Sequence, residues 1–117
     1  AHGTGTTLGD AAAAAAIARV LGAGAAVSSI KGSVGHTIAA AGAIEAAACV
    51  AALEGGFMPG TVGLQDPDPT LPIRALMTSE DADVQVTLSN SFGFGGQNCA
   101  LLLGHSGFAA RPENVNA

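Results

Sequence analysis

The stretch KGSVGHTIAAAGAIEA, residues 31–46, decides how this chain is read. It opens on the only lysine, Lys31, and reaches His36 through a glycine-rich turn, Gly32 to Gly35. Small apolar residues then run to Leu53, and Glu54-Gly55-Gly56 closes the run. The pattern predicts a helix from Thr37 to Leu53. Its apolar residues cover nearly every face, so the helix is expected to be central and buried. Ala39, Ala40, Ala41 and Gly42 are small enough for close backbone approach. His36 and Thr37 fall at the helix N-terminus, where free N–H groups and the dipole favour a developing negative charge.

Upstream, AHGTGTTLGD (residues 1–10) carries a second glycine-framed histidine, His2. Asp10 is expected to cap a helix over Ala11 to Leu21, which alanine favours and Gly22 stops. Ala25 to Ile30 predicts a short strand. Phe57 to Pro72 holds Pro59, Pro67, Pro69 and Pro72 and is expected to be an irregular surface connection. Asp66 and Asp68 within it lack the spacing of a calcium loop. Val84 to Asn90 alternates Val84, Val86 and Leu88 with polar residues, which predicts a half-buried strand. A loop from Ser91 to Asn98 leads to a buried strand, Cys99 to Leu103. Residues 1–104 thus make one α/β unit, short of a complete layered sheet, and 105–117 a polar tail expected to fray.

Composition narrows the class of function. Only 11% of the 117 residues are charged, against about 25% in ordinary globular domains. So little charge cannot cover a small domain's surface, and burial against another polypeptide segment is expected. The net charge is −5 and the four basic residues are scattered, which argues against phosphate-neutralising nucleic-acid binding. Ile38 to Leu53 contains Glu45 and is read as too short for a membrane span. No basic-then-apolar signal peptide is visible, and the chain opens on Ala1 rather than methionine, so a preceding segment is expected. Cys49 and Cys99 lack paired-cysteine or metal spacing and read as buried thiols in a reducing cytoplasm.

Two other glycine motifs fail on context. Gly3-Thr4-Gly5 lacks the lysine and spacing of a phosphate loop. Gly93-Phe94-Gly95-Gly96 enters a strand rather than a helix, unlike a dinucleotide fingerprint. A lone histidine in a glycine loop is most often structural. Two of them, one following the single lysine, point to a site.

AHGTGTTLGD, KGSVGHTIAAAGAIEA and SNSFGFGGQN, in this order, resemble the C-terminal part of β-ketoacyl-acyl-carrier-protein synthases. The likeness is nearest the fatty-acid elongating type II enzymes, with related motifs in polyketide ketosynthases, and runs to about Gly104. It implies the C-terminal half of a thiolase-like α-β-α-β-α sandwich, incomplete alone, from a cytoplasmic enzyme that is usually a dimer. It implies a Cys-His-His constellation in which His2 and His36 are the two histidines. By the same likeness Lys31 hydrogen-bonds within the site, and Phe94 gates it and lends a backbone N–H to the oxyanion hole. Thr4 and Thr6 would contact the pantetheine arm. Glu45 would shape the site and, in some members, accompany a monovalent cation. The implied reaction is decarboxylative condensation of malonyl-acyl-carrier protein with an enzyme-bound acyl thioester, with no cofactor beyond the carrier's phosphopantetheine.

The chemistry suits these residue types. Decarboxylation of a malonyl thioester leaves an enolate oxygen, which two imidazole N–H donors stabilise where the charge develops. Neither Cys49 nor Cys99 matches the family's nucleophile, so the preceding half of the synthase is an expected partner and this chain alone is expected to be inactive. Ala11 to Ala16 replaces the usual Pro-Ile-Glu-like continuation, and Gly32 stands where serine or threonine is common. Three other readings compete. One is a non-catalytic partner subunit like a chain-length factor, which often loses the histidines. Another is a thiolase, whose C-terminal Cys-x-Gly is absent at Cys99-Ala100-Leu101. The third is a plain small-molecule binding module.

Overall fold

A computed structural model describes residues 1–106 and 108. The expected polar tail therefore lies, for residue 107 and residues 109–117, outside the described residues. The elements are α1 (Thr7–Leu21), β1 (Ala26–Val27), α2 (Lys31–Val34), a 3-10 turn (Ile38–Ala40) and α3 (Ala41–Gly55). These are followed by β2 (Phe57–Met58), β3 (Arg74–Ala75), β4 (Glu80–Asp81), β5 (Val86–Phe92), a second 3-10 turn (Phe94–Gly96) and β6 (Asn98–Gly104). The architecture is mixed α/β, as the sequence predicts, with boundaries that differ in instructive ways.

Helix α1 starts three residues before the expected cap. Thr6 is the extended N-cap residue, and its carbonyl accepts the Asp10 N–H at 2.9 Å. Asp10 thus sits inside the first turn, where its charge still favours the positive helix end. Gly22, at φ 87°, ends the helix as expected. The strand predicted over Ala25 to Ile30 shrinks to β1, because Ser29 sends its N–H to the Thr61 hydroxyl instead of a sheet neighbour. The segment read as a glycine turn contains one helical turn, α2, which Gly35 at φ 74° terminates.

Helix α3 closes where the sequence places the stop, with Gly56 in the left-handed conformation. With its leading 3-10 turn it forms an 18-residue run, Ile38–Gly55, of mean hydropathy 1.5. By length and composition alone that run is long enough to cross a membrane, which corrects the shorter sequence estimate. Its packing against β5 and β6, and its buried Glu45, make it a core helix of this fold. The expected full burial is not met: Ala41, Glu45, Ala52 and Leu53 are buried, while Val50 is 42% exposed.

The strands form three two-stranded pieces: β1 parallel to β3, β2 antiparallel to β4, and the hairpin β5–β6. The hairpin pairs Val86 with Gly104 and Phe92 with Asn98, so β5 starts and stops two residues later than expected and β6 runs one residue past each expected end. Its face assignment also departs from the alternation argument. Ser89 is buried and Val86 is 39% exposed, because α3 covers the serine side. Cys99 is exposed, not buried as expected. His105 is docked rather than frayed: its N–H reaches the Gln85 carbonyl, and Nε2 lies 3.0 Å from the Leu53 carbonyl at the end of α3.

A cavity of about 410 Å³ opens between α1, α3, β1 and β5. Its wall includes Val27 and Ser28 on one side and Val86, Leu88 and Asn90 on the other. The two flanking strand pairs face this gap without meeting. The Thr87 hydroxyl is buried without a hydrogen-bond partner among the described residues.

Candidate active site

Three segments converge near the start of α3. The loop ahead of α1 brings His2, the loop after α2 brings His36, and the end of β5 brings Phe92. The His2 and His36 rings meet edge to face, with centroids 5.4 Å apart and planes at 88°. Phe92 packs its ring on His2 at 5.5 Å. Sequence separation gives no hint of this contact; the fold brings together two residues 34 positions apart.

The two histidines have different surroundings. His2 is half-buried, and burial is the largest cause lowering its pKa below the ordinary histidine value. The positive charge of Lys31 lowers it further. Both effects disfavour the imidazolium, so His2 is neutral near pH 7. Its Nδ1 has no hydrogen-bond partner among the described residues. His36 is exposed, and its Nδ1 accepts the Ile38 N–H at 3.4 Å. That leaves the proton of the neutral ring on Nε2, the nitrogen free to donate. Ile38 holds φ 53°, the one positive value at a non-glycine residue among those described. A β-branched residue in that region is strained.

Lys31 does not bond either histidine. Its ammonium is ion-paired with Glu45 of α3, and both side chains are below 10% exposed. Ser91 Oγ donates to the other carboxylate oxygen of Glu45 at 3.2 Å. Both oxygens are therefore engaged, and the cation beside Glu45 is the lysine itself. Lys31 thus meets the implied hydrogen-bonding role through Glu45, fixes α2 to α3, and acts on His2 through its charge.

Thr4 and Thr6 are exposed, with hydroxyls 3.4 Å apart. With Lys31, His36, Val62 and Asp68 they line a groove of about 1000 Å³. Phe94 is not gathered into the site; its side chain is 97% exposed in the turn between β5 and β6. Ser91 and Phe92 were missed as site residues. Both lie in the motif SNSFGFGGQN, whose alternation along β5 places neighbours on opposite faces, yet only the fold shows what each face meets.

Residues 1–65 match the family described as beta-ketoacyl synthase, C-terminal domain. The chain belongs to that family. It is 44% identical over 109 residues to the mitochondrial 3-oxoacyl-[acyl-carrier-protein] synthase of Arabidopsis thaliana, covering 87% of this chain and 24% of that protein. A crystal structure of a beta-ketoacyl synthase from Burkholderia phymatum STM815 superposes with a TM-score of 0.83 at 36% identity. That match covers 87% of this chain and 26% of the other. The ishigamide ketosynthase/chain length factor gives a TM-score of 0.82 at 39% identity, covering 88% and 26% respectively. The chain therefore spans about a quarter of the length of the relatives it matches. Its fold is the C-terminal part of the thiolase-like β-ketoacyl synthase fold.

Proposed function

We propose that this chain supplies the two histidines of a 3-oxoacyl-[acyl-carrier-protein] synthase, an acyltransferase that extends fatty-acid or polyketide chains. The observation that carries the reading is the meeting of His2 and His36, with His36 lining a groove of about 1000 Å³. Malonyl-acyl-carrier protein loses carbon dioxide, and the electron pair of that bond passes into an enolate whose oxygen develops negative charge. Two imidazole N–H groups donate to that oxygen, and neither has to lose its proton. The enolate carbon then attacks the carbonyl of an acyl group held as a thioester on a cysteine. The new C–C bond forms, the C–S bond breaks, and the sulfur leaves as thiolate.

The cysteine belongs to the part of the synthase that precedes this chain. Its absence makes the chain inactive alone and makes that part an obligate partner. The cavity between β1 and β5, which belong to separate strand pairs, supports this as room for a further segment. Thr4 and Thr6 present hydroxyls to the amides of the carrier's pantetheine arm. Phe94 acts as a gate once the complete protein covers its turn. A cytoplasmic homodimer completes the proposal, although the Arabidopsis relative carries a mitochondrial label in its name.

The test is condensation by the complete protein. His2→Ala and His36→Ala should each lower product formation by about 10²- to 10³-fold, the usual effect of removing one oxyanion donor. Near-normal turnover in either variant would overturn the assignment. A chain-length-factor-like subunit is the second reading, favoured by the ketosynthase/chain length factor neighbour. Both histidines are retained here, which supports the condensing role. A preceding segment without a nucleophilic cysteine would decide for the subunit.

A further inference from the structure

The loops that carry the two histidines are tied together by one buried hydroxyl that the chemistry above does not use. Ser29 is 8% exposed, just ahead of α2. Its Oγ donates to the Gly3 carbonyl at 2.9 Å and accepts the Lys31 N–H at 3.3 Å. Its own N–H donates to Thr61 Oγ1 at 3.1 Å. One residue thus joins the His2 loop, the start of the helix leading to His36, and the connection after β2.

The fit at Gly3 is close enough to exclude other side chains. Gly3 holds φ 41°, and a Cβ there would lie 2.7 Å from Ser29 Cβ and 2.9 Å from its Oγ. Glycine therefore serves twice, by adopting the left-handed conformation and by leaving room for the serine. The pair Gly3–Ser29 sets how far the His2 loop stands from α2. With Gly5 also at positive φ, the loop has little stiffness of its own.

We propose that Ser29 is a positioning residue: its hydroxyl fixes the His2 loop against α2, so that the two imidazoles meet edge to face. The inference rests on the condensing role proposed for the histidines, and its test is separable from that role. A misplacement of about 1 Å at reacting groups costs up to about 10²-fold in rate, so a small release of this loop is measurable.

The experiment uses Ser29→Ala in the complete protein, with two readouts. The first is kcat and KM for the malonyl substrate across pH. The second is the NMR titration of the His2 ring, assigned by its loss in His2→Ala. Expected are a kcat lowered about tenfold or more, a KM within about twofold, and a His2 titration moved up toward the ordinary histidine value as water enters. The acid limb of the kcat profile moves up with it. Ser79→Ala removes an exposed bond from the Gly60 N–H (3.0 Å) and is the control, unchanged in both readouts. If Ser29→Ala does not fold, Thr61→Ala keeps the Gly3 bond and should move the His2 titration in the same direction by less. An unchanged His2 titration in the folded variant overturns the proposal, whether or not kcat falls. If the parent protein fails to condense at all, the functional reading fails, and the titration still decides on Ser29.

Discussion

At the scale of single residues, the two histidines differ in what holds them ready. His2 depends on its surroundings: burial first and Lys31 second keep its ring neutral. His36 depends on one backbone donor, the N–H of strained Ile38. The lowered His2 pKa predicts a pH response with a definite sign. The folded ring resists protonation that the unfolded ring accepts, so its contribution to stability is complete above about pH 6.5 and is lost as pH falls below that value. Activity follows the neutral ring, and its acid limb should lie below 6.5; a kcat profile measured from pH 4.5 to 8 checks this. The glycine-framed histidines were legible in the sequence because their types and framing are unusual. The state of the His2 ring was not legible, because its burial and its neighbours Phe92, at 5.5 Å, and Lys31 are brought together only by the fold.

At the scale of elements, α2 and α3 are joined by the buried pair Lys31–Glu45, with Ser91 of β5 as a third member. Removing one partner leaves a buried charge uncompensated. Lys31→Met should therefore destabilise the complete protein by about 3–5 kcal/mol, and Lys31→Met with Glu45→Leu should recover most of that loss. Urea unfolding of the single and double variants measures both. Gly32 presents a tighter constraint than the sequence suggests. A Cβ there would overlap the Val62 carbonyl oxygen, so this glycine sets a close approach and does not merely loosen the turn. Gly32→Ala should shift the segment around Val62 and raise KM for the carrier substrate by severalfold, since that segment walls the groove. Elements with strong local signals, α1, α3 and the β5–β6 hairpin, were legible to within a few residues. The short strands β2, β3 and β4 were not, because two-residue pairings are fixed by partners far along the chain.

At the scale of the molecule, the exposed apolar surface is the main fact. Leu8, Val20, Ile38 and Leu102 are each more than 60% exposed, and 11% charged residues cannot balance them. The low charge made this legible in the sequence; the gap between the strand pairs was not, because it is a property of how they fail to meet. The isolated chain should aggregate or unfold without a cooperative transition, and a sharp calorimetric peak from the purified monomer would contradict that. The proposed chemistry turns on the His2 and His36 imidazoles donating to a developing enolate, and the most direct measurement is carbon dioxide release from malonyl-acyl-carrier protein by the complete protein. The account predicts release that drops by about 10²- to 10³-fold in His2→Ala and in His36→Ala. Release at the parent rate in either variant would contradict it.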